Sequence, residues 1–218
     1  MANLPRDDRS QLPFPSRGAC PALSLSQDAA QPFRFLDIAC GDAGPSVAAL
    51  AGTRIIHYHG IDQSAAALDL ARATPTALPC PVTLEQRTFV EAMSDHPTPV
   101  DVAWIGLSLH HFQMPAKLAV MRDIRSSLNE GGLLAIYEPT IPEGEKRAEW
   151  LRRWNGQRPS WIGYTAEEWD AMSTHVHAAD YPEPVLGWHA QGRDAGFGTI
   201  DEVFAAPTDL FRMFCFRV

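Results

Sequence analysis

The sequence has no apolar run approaching the roughly 20 residues that cross a bilayer. Its first residues, MANLPRDDRSQLPFP, lack the apolar core of a signal peptide. Four cysteines (Cys20, Cys40, Cys80 and Cys215) are scattered without a C-x-x-C pair, which fits reduced thiols in a cytoplasmic protein rather than a disulfide framework. Positive charge is in short supply: 18 Lys and Arg face 26 Asp and Glu, for a net charge of -8. Such a balance argues against tracking along nucleic-acid phosphates. Two catalytic signatures are missing as well. Ser108 lies in I-G-L-S-L, without the second glycine of a serine hydrolase's G-x-S-x-G, and no H-E-x-x-H occurs. What is present describes a globular chain. Its 218 residues, 45% hydrophobic and 20% charged, suit one domain with a sizeable core.

The organising stretch is Phe33–Gly44, FRFLDIACGDAG. Apolar Phe33, Phe35, Leu36 and Ile38 run into a turn of small residues, and a helical pattern (Val47, Ala48, Leu50) follows, with Pro45 suited to its first turn. Strand, small-residue turn, helix is how an open α/β sheet builds a nucleotide pocket, because small residues let a ligand approach the backbone. A pyrophosphate site would be repelled by carboxylates at both Asp37 and Asp42. A cationic ligand without phosphate would accept them.

Further along, Arg54–Ile61 is rich in strand formers and ends in Gly60-Ile61-Asp62-Gln63-Ser64. Asp62 stands 21 residues after Gly41, where an acid after the second strand takes ribose hydroxyls. Asp62 or Ser64 also suits the cap of a helix over Ala65–Ala73. Pro79 and Pro81 bracket a turn before an alternating strand, Val82–Arg87. Val100–Leu109 reads as a central parallel strand, and it ends in Ser108-Leu109-His110-His111-Phe112. Met114–Leu128 is an amphipathic helix stopped by Asn129-Glu130-Gly131-Gly132, and Leu133–Pro139 is a fifth strand.

The turn D-x-A-C-G-D-A-G resembles motif I of class I S-adenosylmethionine-dependent methyltransferases, usually written D-x-G-x-G-x-G, with alanine at Ala39 and Ala43. The L-H-H after the fourth strand and L-x-x-G-G-x-L-x-I-x-E-P around the fifth are similar to later motifs of that family, and all stand in family order. The resemblance implies a Rossmann-like doubly wound α/β sheet of seven strands, mostly parallel with an antiparallel last strand. It implies S-adenosyl-L-methionine as cofactor and a small-molecule methyl acceptor. Asp37, Ala39, Cys40 and Gly41 would border the methionine end, Asp62 and Gln63 the ribose, and Thr88 and Phe89 the adenine, with Ser108 beside them. The family often places an acid after the third strand; Arg87-Thr88-Phe89-Val90 has none. His110 is the leading candidate for a general base and His111 the second, because the pair ends a central strand; Glu138 and His175 are alternatives. An NAD(P)-dependent oxidoreductase and a non-catalytic methyltransferase-like module are the rival readings.

The expected layout is an N-terminal extension over 1–32 and one domain over 33–218, with a short helix near Ser24–Ala30. A helical cap insertion at about 140–184, over an acceptor pocket, holds Trp150, Trp154, Trp161 and Trp169, four of the six tryptophans; the competing reading is ordinary packing onto the sheet, which most of these aromatics would do in either case. Thr165-Ala166-Glu167-Glu168 reads as a capping box opening a helix towards Val176. Lys146, Arg147, Arg152, Arg153 and Arg158 read as a solvated face ahead of a carboxylate clamp. A helix over Trp188–Phe197 and an antiparallel hairpin of Thr199–Phe204 and Leu210–Val218 complete the chain. Histidines come in pairs (His57/His59, His110/His111, His175/His177), yet no ligand set of familiar spacing surrounds them, so no metal is expected; a site joining His110 to His175 or His177 stays open. The protein is expected to be a monomer or homodimer without membrane or nucleic-acid partners.

Overall fold

Alternation within the strands sets the architecture. In β1 (Phe33–Ile38) the side chains of Phe33 and Phe35 join one buried cluster, while Leu36 and Ile38 join another on the opposite face. The same division recurs in β5 (Leu128–Ile141), with Leu133, Ala135 and Tyr137 against Leu134 and Ile136. It recurs again in β8 (Phe211–Arg217), with Met213 and Cys215 against Phe214 and Phe216. A sheet apolar on both faces must be covered on both, which is the doubly wound solution.

The computed structural model describes residues 31–73, 78–95, 98–161 and 163–218. The helix expected near Ser24–Ala30 lies outside the described residues. The other strands are β2 (Ile55–Asp62), β3 (Val82–Gln86), β4 (Val100–Gly106), β6 (Glu183–Pro184) and β7 (Thr199–Ala205). The sheet has the order β3-β2-β1-β4-β5-β8-β7, and β6 pairs beside β5. Strands β1 to β5 are parallel, and β8 runs antiparallel to both β5 and β7. The expected seven strands and antiparallel last strand are present; the eighth is the two-residue β6. Strand order reverses between β1 and β4, so the carboxyl ends of these two neighbours frame the crevice where such sheets bind ligands.

The helices are α1 (Gly44–Leu50), α2 (Ala65–Ala71), α3 (Phe89–Ser94), α4 (Met114–Ser126), α5 (Arg147–Gly156), α6 (Ala166–Ala179) and α7 (Val185–Asp194). Thr165 caps α6 as expected: its Oγ1 accepts from Glu168 N at 3.2 Å, and its own N–H donates to Glu168 Oε2 at 2.9 Å. The Asn129–Gly132 stop lies inside β5 rather than before it. The register jumps from Val100–Leu128 to Val102–Leu133, and Gly131 takes the left-handed backbone (φ 72°) that lets the chain loop out and return.

The aromatics of the insertion pack onto the sheet, as the competing reading of that segment had it. Trp150, Trp154 and Trp169 are buried in the same cluster as Phe35, Tyr58 and Tyr137. The Trp154 ring stacks on Trp150 and Trp169, with centroids 6.0 and 5.8 Å away, and meets Phe211 edge-on. Helices α5 and α6 therefore cover a sheet face. Nor are Arg147 and Arg153 a solvated face. Arg147 donates to the carbonyls of Asp180 and His177, both at 2.7 Å, and Arg153 grips the Glu145 carboxylate with two nitrogens at 2.8 and 2.7 Å.

Candidate active site

The turn after β1 alternates handedness. Ala39, Gly41 and Ala43 all take positive φ (56°, 56° and 58°), so alanine stands twice where glycine would be unstrained. Cross-links hold the turn open. Ala43 N donates to Cys40 O at 2.9 Å, and Cys40 N donates to Ile61 O on β2 at 3.0 Å. Above Gly41 the space is clear: a Cβ built there would meet nothing within 4 Å. A ligand can reach the backbone at that point.

Asp62 ends β2 and ties two loops together. Its Oδ2 accepts from Gly41 N and its Oδ1 from Ser64 N, both at 2.8 Å. Each carboxylate oxygen has a second lone pair, so the group can take ligand hydroxyls without releasing the turn. The cap of α2 falls to Ser64, whose Oγ accepts from Ala67 N at 3.2 Å. The two roles weighed for Asp62 are thus divided between neighbours. Gln63 beside it is exposed.

Asp37, at the end of β1, is 1% exposed and accepts a 2.5 Å hydrogen bond from the Tyr58 hydroxyl. Burial raises its carboxyl from the ordinary 3.8 to about 6; hydrogen bonds from Ser46 and Tyr58 oppose the rise, and the nearby charges of Asp62 and Asp42 add to it. Cys40 is buried too, and that burial, helped by Asp37, pushes its thiol up, so it stays a protonated packing residue. Thr88 caps α3, accepting from Glu91 N and donating to Glu91 Oε2 at 2.7 Å. Glu91 thereby brings to the loop after β3 an acid that the motif comparison looked for nearer the strand. Phe89 is half-buried and packs edge-on against Phe112, with centroids 5.6 Å apart.

The end of β4 forms a second centre. Leu107 takes a left-handed backbone (φ 54°), and the next three amides turn onto one carboxylate. Glu138, fully buried on β5, accepts from Ser108 N (3.1 Å), Leu109 N (2.9 Å) and His110 N (3.2 Å), and its Oε2 lies 2.6 Å from His110 Nδ1. Glu138 is therefore fully engaged inside the protein and acts as the support of His110. The other His110 nitrogen, Nε2, faces Asp180 Oδ1 at 3.5 Å, and His111 Nδ1 faces the same oxygen at 3.6 Å. His110 is buried, whereas His111 is exposed and packs edge-on against the exposed His175, with ring centroids 5.0 Å apart. Burial first, then the neighbouring His110 and His175, lower His111 to about 4, which keeps it neutral at pH 7. Burial raises the Asp180 carboxyl, against the pull of His110 and His175.

The structure thus brings Asp37, Ala39, Cys40, Gly41, Asp62 and Gln63 together around the turns after β1 and β2, and Ser108, His110, His111, Glu138 and His175 into a second cluster at the end of β4, drawn from that turn, β5 and α6. Sequence reasoning missed Tyr58, which reads as one more strand residue, and Asp180, which lies 70 residues from its histidine neighbours. The phrase Asp180-Tyr181-Pro182 after a helix gives no local signal of that contact.

Comparison with known proteins bears on the fold. Residues 35–132 match the family model of a methyltransferase domain. No curated protein matches the sequence. Among solved structures, an O-methyltransferase of Nostoc punctiforme superposes with a TM-score of 0.63 at 16% identity, over 93% of this chain and 57% of its own. The YcgJ protein of Bacillus subtilis gives 0.57 at 13% identity, over 90% of this chain and 94% of its own. An O-methyltransferase family 2 protein of Planctomyces limnophilus, solved in complex with apigenin, gives 0.58 at 13% identity, over 85% of this chain and 49% of its own. The chain thus spans 57% of the Nostoc protein and about half of the Planctomyces one. Its fold is that of the class I S-adenosylmethionine-dependent methyltransferases, as its motifs indicated.

Proposed function

We propose that the chain is a methyltransferase that moves the methyl group of S-adenosyl-L-methionine onto a small organic acceptor, at oxygen, nitrogen or sulfur. The observation that carries the reading is the Asp62 carboxylate, clamped between Gly41 N and Ser64 N beside an open left-handed turn. That arrangement presents a fixed acceptor for the ribose diol next to bare backbone. Asp37, one turn below, suits the cationic methionine end, and the Thr88–Phe89 corner suits the adenine. The sulfonium is already an activated donor, so catalysis rests chiefly on holding the acceptor atom in line, about 3 Å from the methyl carbon. Where the acceptor carries a proton at pH 7, its removal falls to the cluster of His110, His111 and Asp180 braced by Glu138. A net charge of -8 and the solved relative that holds apigenin support a small molecule over a nucleic acid.

The test is calorimetry with S-adenosylmethionine on the wild type and on Asp62→Ala, with circular dichroism to verify folding. Hydrogen bonds to a charged group contribute about 1.5–3 kcal/mol, so a loss of about tenfold or more is expected. A wild type that ignores S-adenosylmethionine, or a folded variant with undiminished affinity, would overturn the assignment.

A further inference from the structure

Asp180 Oδ1 is buried and accepts no hydrogen bond among the described residues, although Asp180 is only 6% exposed. The His110 and His111 nitrogens that face it, at 3.5 and 3.6 Å, are too distant for good hydrogen bonds. Each stands about as far from Asp180 Oδ1 as two ligands of one ion stand from each other. Around a tetrahedral ion with bonds of about 2.0–2.1 Å, neighbouring donors sit about 3.3–3.4 Å apart. Octahedral coordination with the same bonds would draw them in to about 2.9 Å. The donor atoms of His110, His111 and Asp180 all lie within 4.8 Å of one another.

We propose that His110 Nε2, His111 Nδ1 and Asp180 Oδ1 bind a tetrahedral divalent ion of the zinc type, leaving a fourth position for water or an acceptor. The donor set, two imidazoles and one carboxylate, is borderline in softness and suits zinc better than magnesium. Two of the three donors are held in advance. Glu138 on His110 Nδ1 leaves Nε2 as the ring's free lone pair, the carboxylate–histidine–metal arrangement. The Asp180 segment is fastened from three sides: Arg147 Nε donates to Asp180 O at 2.7 Å, Tyr181 N to His110 O at 2.8 Å, and the buried Lys117 Nζ to Tyr181 O at 2.6 Å. Exposed His175 and the Ala179 carbonyl also border His111. The other close pair offers less. His57 and His59 are already partnered by Thr83 Oγ1 at 3.0 Å and Glu85 Oε2 at 3.1 Å.

The use of this ion rests on the methyltransferase reading; the site does not. An acceptor hydroxyl bound at the fourth position would lose its proton to solvent, its oxygen would attack the methyl carbon, and the sulfonium would leave as a neutral thioether. Zinc binding to the chelator-stripped full chain should be followed by calorimetry, with Co²⁺ absorption reporting tetrahedral geometry. One equivalent should bind, and His111→Gln and Asp180→Asn should each weaken it by at least about tenfold. Glu138→Gln should weaken it about 10–100-fold. The double variant His57→Gln/His59→Gln should bind as the wild type does. The site is wrong if folded His111→Gln and Asp180→Asn keep full affinity, if binding follows His57 and His59, or if the wild type binds no zinc. S-adenosylmethionine binding to the stripped protein separates the two readings: retained cofactor binding without zinc binding sinks only the metal site, and the reverse outcome sinks only the methyltransferase.

Discussion

Replacing Asp37 with Asn should make the ligand-free protein more stable at neutral pH while weakening its hold on the cofactor. The carboxyl is buried and its folded pKa stands near 6, against an ordinary 3.8. A raised pKa means that the folded state binds the proton more tightly than the unfolded one. The resulting contribution to stability is complete below about pH 4, declines as pH rises towards 6, and is lost above it. About two units at roughly 1.4 kcal/mol each amount to about 3 kcal/mol. Asn is neutral throughout, so the variant's advantage should be near zero at pH 4 and approach that figure by pH 7, less what the Tyr58 hydrogen bond loses with a weaker acceptor. For a chain of this size, 1 kcal/mol moves the melting temperature by roughly 2–4 °C. Melts of both proteins at pH 4.5, 6 and 7.5, chosen to bracket the shift at about its midpoint, measure the gap. S-adenosylmethionine, carrying an ammonium and a sulfonium, should favour the ionised carboxylate, so wild-type affinity should fall as pH drops below about 6. A gap that does not grow with pH, or an Asn variant less stable at pH 7.5 or thereabouts, would show that the carboxylate is well compensated and refute the reasoning.

Other outcomes follow from packing and backbone. Ala43 has φ 58°, so Ala43→Gly should relieve strain of about 1 kcal/mol, partly offset by the entropy of the unfolded chain, and raise the melting temperature slightly. Trp154→Ala should cost about 3–5 kcal/mol in chemical denaturation, because the ring packs against Trp150, Trp169 and Phe211. A removable lid would instead leave stability untouched. A Cβ on Gly192 would fall 2.7 Å from Ile200 and Phe216, so Gly192→Ala should destabilise by about 1–3 kcal/mol in the same assay.

The sheet was legible because its strands alternate or are uniformly apolar, and because turn chemistry is local. Asp62 could be placed from its spacing to Gly41, and the α6 cap from Thr165 and Glu168, since each depends on a few neighbouring residues. The place of helix α5 was open: its Trp150 and Trp154 suit a pocket lining and a core equally well. What distinguishes a lining from a core is the partner surface, and that partner is Phe211, far along the chain. The role of Glu138 was equally hidden. On the sequence it is an acid at a strand end, as suited to a base as to a brace. Only the turn at Leu107, which aims three amides at it, decides between them.

The distribution of acids at the carboxyl edge also bears on the rival reading as a nicotinamide enzyme. Asp37 sits under the first turn, Asp42 within it and Asp62 across it, and the Asp42 side chain folds back to accept from Gly44 N at 3.1 Å. That amide opens α1, and in a dinucleotide site the amides at this helix start face the pyrophosphate. Here one of them is taken by a carboxylate of the chain itself. A pyrophosphate would have to displace Asp42 and then lie beside two further acids, with repulsion undiminished by any nearby cation that the turn supplies. On the proposed reading the cationic end of S-adenosylmethionine would meet the opposite field: burial, with the charges of Asp62 and Asp42 added, raises the pKa of Asp37, and a bound positive charge would relax that rise. A buried acid under the turn therefore suits a ligand that is positive where a dinucleotide is negative.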